Sequence, residues 1–255
     1  MKVPFLTTLL LLTVAFSSAL SAQKRQAPAA RSKPAAIRSP DIGQTAIVID
    51  ETLSTLRVTP SLFATSIQRM RRGRKIQITG VTEADGVKFY RVTAPPSNVG
   101  WVQADAVFGK FRPADEERLA RVVQAGNGFE QIEVAIEFFK LYPDSKFRPA
   151  INLLFGDLLE EVSAKLSKDA TNRLKRKEMA ATAAPLHSYY LNFVSLDRYR
   201  KLGIIFLFNP ATKLFHYDGA SWKDIVAKFP ASPEAAESQK RLDSLKTKME
   251  KPAAK

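Results

Sequence analysis

The chain has 255 residues, with 39 Lys and Arg against 25 Asp and Glu, a formal charge of +14, two histidines and no cysteine. The lack of cysteine excludes disulfide staples, thiol chemistry and a lipid anchor on a processed cysteine, so the fold must rest on apolar burial. The basic surplus is uneven: residues 1–40 carry six cations and no acid, residues 41–111 carry nine against six, and the remainder 24 against 19.

The first residues, "MKVPFLTTLLLLTVAFSSALSAQKRQ", place one lysine before an apolar run and then small residues. This is the order of a secretory signal peptide over residues 1–22, with a cut after Ser21 or Ala22. The rival reading is a retained anchor. An uninterrupted span needs about 20 apolar residues, whereas Thr7, Thr8, Thr13, Ser17 and Ser18 dilute this run. The expectation is a protein of the periplasm or cell envelope, not a lipoprotein, with no transmembrane segment after cleavage. For an exported basic chain, anionic surfaces such as headgroups, wall polymers or acidic proteins are better partners than nucleic acid. Residues 23–40 mix Ala, Pro, Lys and Arg without apolar periodicity and read as a flexible basic linker.

From residue 41 to 111 the texture is β-rich. "TAIVI", "TLRVT", "KIQITGV", "KFYRVTA" and "VGWVQA" are separated by turn signals, and Ile76 and Ile78 alternate with Lys75, Gln77 and Thr79. Period-2 alternation sets one face on a core and the other in water. Five short strands in this length predict a small all-β barrel.

Residues 112–250 change to helical grammar, followed by a short tail at 251–255. Ile132, Ala135, Ile136, Phe139 and Tyr142 fall on one stripe; Ile151, Leu154, Phe155, Leu158, Val162 and Leu166 fall on another. The fold class expected is therefore mixed: a small β-barrel followed by an all-α array of helical hairpins.

The elements "TLRVTPS", "RRGRKIQITG", "VKFYRV" and "VGWVQADAV", in that order, resemble the bacterial SH3-like domain. Leu56, Val58, Pro60, Ser61, Gly73, Phe89, Tyr90, Val92, Gly100, Trp101 and Val102 occupy its pattern positions. The chain departs from the family in lacking the arginine of the first element and in the longer "TAPPSNVG" before Trp101. The resemblance implies binding of peptidoglycan or an exported partner rather than catalysis.

The candidate ligand-binding residues follow from that module. Trp101 is either a packing residue of a small core or a partly exposed platform. Phe89 and Tyr90 must face opposite sides of their strand, so one is expected in the core and the other more exposed. "QRMRRGRK" gathers Arg69, Arg71, Arg72, Arg74 and Lys75 at a turn with no acid near them in sequence. These cations form either a solvated turn or a site for carboxylate or phosphate.

In the helical half, Tyr142-Pro143-Asp144-Ser145 is echoed by Phe229-Pro230-Ala231-Ser232, 87 residues later. Pro ends one helix and Ser is placed to start the next. These joints resemble tetratricopeptide-type repeats, and Gly156 and Gly203 are expected to mark close helix approach. Two standard repeats of about 34 residues would fill less than that spacing, so insertions are expected. Residues 204–217 fit a helix or a hairpin; the repeat pattern favours helix to about Phe208.

His187 and His216 lie in no metal spacing, and adjacent acids such as Glu160 and Glu161 diverge by about 100 degrees on a helix. No phosphate loop or nucleophile elbow is present. The expectation is a non-catalytic envelope scaffold without cofactor or metal, its helical repeats binding a protein partner. The alternative is a peptidoglycan hydrolase or its regulator.

Overall fold

The computed structural model describes residues 39–250. The expected signal peptide, the linker before Ser39 and the tail at 251–255 lie outside the described residues.

The mixed order of strands followed by helices is what the chain adopts. Strands β1 (Thr45–Val48), β2 (Thr55–Arg57), β3 (Ser66–Arg69), β4 (Lys75–Ala84), β5 (Val87–Ala94), β6 (Asn98–Gln103) and β7 (Val107–Phe108) form one curled antiparallel sheet. Its order is β3-β2-β6-β5-β4-β1-β7. Alternation does its work in β4 and β5, where Ile76, Ile78, Tyr90, Val92 and Ala94 turn inward to meet Leu56, Met70 and Val102. Asp85 and Gly86 close the β4–β5 hairpin with φ of 53° and 72°, the left-handed pair that a tight two-residue hairpin turn demands.

Strand β1 is buried on both faces. Ala46 and Val48 belong to the sheet core, whereas Ile47 and Ile49, with Phe108 of β7, belong to the core of the helical region. Helices α1 (Asp115–Ala125) and α2 (Gly128–Leu141) cover that second face. Arg112 fastens the start of α1: its Nε donates to Asp115 at 2.8 Å and its Nη1 to the Ala104 carbonyl at 3.1 Å, while Asp115 also accepts the Gly109 N–H at 2.9 Å.

The first Pro joint ends α2, and α3 (Arg148–Arg173) begins beyond it; the second separates α7 (Ala220–Lys228) from α8 (Pro233–Glu250). Ser145 does not cap α3 directly. Its hydroxyl donates to Glu116 at 2.6 Å and accepts the Phe147 N–H at 3.0 Å, so the helix restarts later than at the second joint. Between α3 and α7 lie three short helices, α4 (Arg176–Ala181), α5 (Leu186–Leu191) and α6 (Asp197–Arg200), and a hairpin of β8 (Phe206–Asn209) with β9 (Leu214–Tyr217).

That hairpin corrects the helix favoured for residues 204–208. Gly203 takes φ +79° with nothing near its Cα substituent position, so it is a turn glycine and not a helix contact. The Asn209 side chain accepts the Ala211 N–H at 2.9 Å, starting a local turn that competes with helix. Phe208, half-buried at the edge of the core, then stacks on Tyr190 at 4.6 Å.

Gly156 does mark a close approach. A Cβ there would stand 2.3 Å from Trp222 Nε1 of α7. The buried stripe of α3 runs Ile151, Asn152, Phe155, Gly156, Leu159, Ser163, Leu166, Ser167 and Ala170. It is rotated from the expected one, leaving Leu154 and Leu158 half-buried. Among the described residues no helix is long and apolar enough to cross a membrane.

Candidate functional site

The outer face of the sheet carries one row of residues in direct cross-strand register. Ser66 of β3 faces Arg57 of β2, Arg57 faces Trp101 of β6, Trp101 faces Arg91 of β5, and Arg91 faces Gly80 of β4. Gly100 and Val102, either side of Trp101, are buried, so the indole must leave the opposite face. The core-packing reading of Trp101 is thereby corrected: the residue is half-buried on the outside.

Where the ring goes is fixed by Gly80. A Cβ at Gly80 would lie 3.3 Å from Arg91 Cβ and 4.0 Å from Trp101 Cη2. The indole therefore extends from β6 over the stem of Arg91 towards β4, whose backbone lies about two strand spacings away, roughly 9–10 Å, and its far edge comes within contact distance of the Gly80 position. Gly80 sits at a register shift in the β4–β5 ladder, and its missing side chain leaves room for the ring's far edge.

Arginines frame this platform. Arg57 donates from Nη1 to the Ala64 carbonyl at 2.8 Å, and its shielded Nε has no hydrogen-bond partner. Arg91 is exposed. Among the described residues neither belongs to an ion pair, and the same holds for Arg69, Arg71, Arg74 and Lys75. The acids of the sheet region are mostly engaged. Asp41 accepts from Lys88 at 2.6 Å and from the Tyr90 hydroxyl at 2.8 Å. Burial opposes its charge, but these bonds outweigh burial and hold its carboxyl below the usual range.

Beside the row, the loop after β2 presents Phe63, 90% exposed. Asp85 clamps this loop, accepting the Ser61 hydroxyl at 2.7 Å and the Leu62 N–H at 2.8 Å, while Ser61 Oγ accepts the Phe63 N–H at 3.2 Å. The Ser61 bond first, and the Leu62 bond second, keep the Asp85 carboxyl low. Val58, directly after β2, and Val99 of β6 are exposed as well.

The other expected site residues do not converge here. Phe89 and Tyr90 are both fully enclosed, which corrects the expectation that one is exposed; Tyr90 spends its hydroxyl on Asp41. Arg72 is consumed by structure. Its Nη1 donates to Glu133 at 2.8 Å, its Nη2 pairs with Glu130, and its Nε donates to the Ile49 carbonyl at 2.9 Å. The turn is not free of acids in three dimensions, because α2 brings Glu130, Glu133 and Glu137 to it. Arg74 gives Nη1 to the Pro95 carbonyl at 2.9 Å. Arg69, Arg71 and Lys75 remain exposed.

No family model, no curated protein and no solved structure matches the chain. Its chemistry is therefore read from its own geometry.

A second cluster lies in the helical region. Glu160 of α3 accepts His216 Nδ1 at 3.0 Å, Lys248 Nζ at 2.7 Å and the Tyr217 N–H at 2.9 Å. Burial works against the charge of Glu160, but His216, then Lys248 and the Tyr217 amide, more than offset it and bring the carboxyl down to about 2. These contacts tie α3, β9 and α8 together at one carboxylate. No group of three or more His, Asp or Glu suited to a metal ion occurs among the described residues.

Sequence reasoning missed Arg57, Arg91 and Phe63. The outward phase of Arg91 was legible from its alternation with Tyr90 and Val92, but the pairing that sets it beside Trp101 depends on register.

Proposed function

We propose that the chain is an exported, non-catalytic binding and scaffold protein of the bacterial cell envelope. Its curled sheet acts as an SH3-like module that engages anionic wall material through the Trp101 face, and its helices act as a tetratricopeptide-like scaffold for an envelope protein. The observation that carries this reading is the indole laid across β5 between Arg57 and Arg91. A flat aromatic face suits the apolar side of a sugar ring or peptide, and guanidinium groups without ion-pair partners suit carboxylates at its edge.

The test is co-sedimentation of the signal-free protein with purified sacculi, beside Trp101→Ala and Arg91→Gln, with melting curves as controls on folding. The parent protein is expected in the pellet, and each variant is expected to lose retention about tenfold, the worth of roughly 1.4 kcal/mol. Retention unchanged in both variants, or no retention of the parent, would sink the proposal.

A further inference from the structure

The face of β1 and β4 that meets α2 does not close completely. It leaves a cleft of about 740 Å³ bordered by Gly43, Thr45, Ile47, Lys75, Phe111 and Leu141, with Lys110, Glu137 and Lys140 also on its lining. That volume is within the usual range for small-molecule sites, roughly 300–1,000 Å³.

Phe111, Ile47 and Leu141 make an apolar part of its wall that is held in place, while Gln44, Thr45 and the charged side chains make most of the rest. Ile47 and Leu141 are buried members of the helical core. Phe111 lies where a Cβ on Gly109 would come within 2.3 Å of its ring, so a glycine there admits the ring's position. The ring also meets Tyr90 edge-on at 6.4 Å, with the Arg112 guanidinium 5.6 Å from its centre on another side. A side chain so packed offers a preformed surface rather than one to be ordered on binding.

The charge of the cleft is unbalanced. Glu137 is its one acid and is already paired with Lys140 at 2.8 Å. Lys75 and Lys110 are exposed and, among the described residues, belong to no ion pair. Two uncompensated ammonium groups thus stand at a cleft with an aromatic and aliphatic wall. Each brings three donors on a flexible stem, able to follow an anionic head without a fixed fork geometry.

We infer that this cleft is a binding site for a small amphipathic anion, with an aliphatic body against Phe111, Ile47 and Leu141 and a carboxylate or phosphate monoester on Lys75 and Lys110. The inference is independent of wall binding, since no residue of the Trp101 row lines the cleft; the two share only β4, with Gly80 in the row and Lys75 at the cleft.

The experiment titrates isotopically labelled signal-free protein with submicellar decanoate, decyl phosphate and decanol while following amide resonances. Both anions are expected to shift Gly43, Gly73 and Lys110 along saturable curves, with decanol much weaker. Lys75→Gln with Lys110→Gln is expected to weaken the anions about fivefold or more, roughly 1 kcal/mol. Lys201→Gln with Lys246→Gln, which removes the same charge from exposed sites elsewhere, is expected to leave binding unchanged. Saturation by only one of the two anions supports the site and names its head group. Equal binding of decanol, equal weakening in the two double variants, shifts confined to other residues, or no saturable shift with either anion overturns the inference.

Discussion

Glu160 and His216 are 56 positions apart in the chain, yet Oε1 of one lies 3.0 Å from Nδ1 of the other. The pair joins the long helix α3 to the second strand of the small hairpin, and Lys248 adds α8 to the same carboxylate. Because the Glu160 carboxyl is lowered in the folded state to about 2 from an ordinary 4.5, its contribution is fully present above pH 4.5. It is lost as pH falls through that window towards 2. Glu160→Gln is expected to cost about 1–3 kcal/mol at neutral pH and to show a shallower loss of stability between pH 4.5 and 2. Urea midpoints of both proteins at pH 7 and pH 3 measure this; parallel acid profiles would contradict it.

Gly156 is expected to tolerate no side chain. Even the methyl of Gly156→Ala would press on Trp222 Nε1 at 2.3 Å and Ser221 Oγ at 2.6 Å, where helix propensity alone favours Ala by about 1 kcal/mol. Overpacking of about 1–3 kcal/mol outweighs that gain. Thermal unfolding should place the variant below the parent.

Arg72→Gln should loosen the seam between the sheet and α2. The side chain is 7% exposed and serves Glu133, Glu130 and the Ile49 carbonyl. Removing its charge leaves that shielded carbonyl without its donor, at a cost of about 1–3 kcal/mol. Amide exchange in β1 and the first turns of α2 should quicken more than in α8.

Asp85→Gly removes the acceptor for Ser61 and Leu62 while suiting the left-handed φ of 53° at the turn. The carboxylate lies at the surface, so global stability should change little. The expected result is local: faster exchange at the Leu62 and Phe63 amides, with β4 and β5 unaltered. Phe63→Ser, by contrast, should leave stability unchanged, because its ring is 90% exposed and buries almost nothing.

Much of the sheet was legible because β4 and β5 show period-2 alternation with turn residues between them, and β6 carries the Gly-Trp-Val run. Strands β3 and β7 were not legible. Ser66–Arg69 is four residues long with its one apolar side chain, Ile67, exposed, and Val107–Phe108 has only two residues, so neither carries a pattern. In α3 the apolar residues occur all round the helix. Asn152, Gly156, Ser163 and Ser167 then occupy the buried face, which no count of apolar spacing reveals. Their reasons are tertiary: Asn152 donates to Asp224 at 3.0 Å, and Ser167 Oγ accepts the Phe215 N–H at 2.7 Å.

The candidate site was legible as residue types and not as a constellation. Trp101 stood out by its Gly-Trp-Val context, but its face, its arginine neighbours and the space over Gly80 all depend on strand pairing. The basic turn showed the opposite failure. Arg72 looked available because its counter-charges, Glu130 and Glu133, enter from a helix some sixty positions later.

Strand β1 has only four residues, yet it supplies side chains to two cores from its two faces. Such a strand is a party wall: neither room keeps its shape if the other is pulled down. Removing the sheet would strip Ile47, Ile49 and Phe108 from the helices, and removing the helices would leave the same three in water. The two halves should therefore melt in a single transition, and a load applied at the outer sheet face has a direct mechanical route to α2.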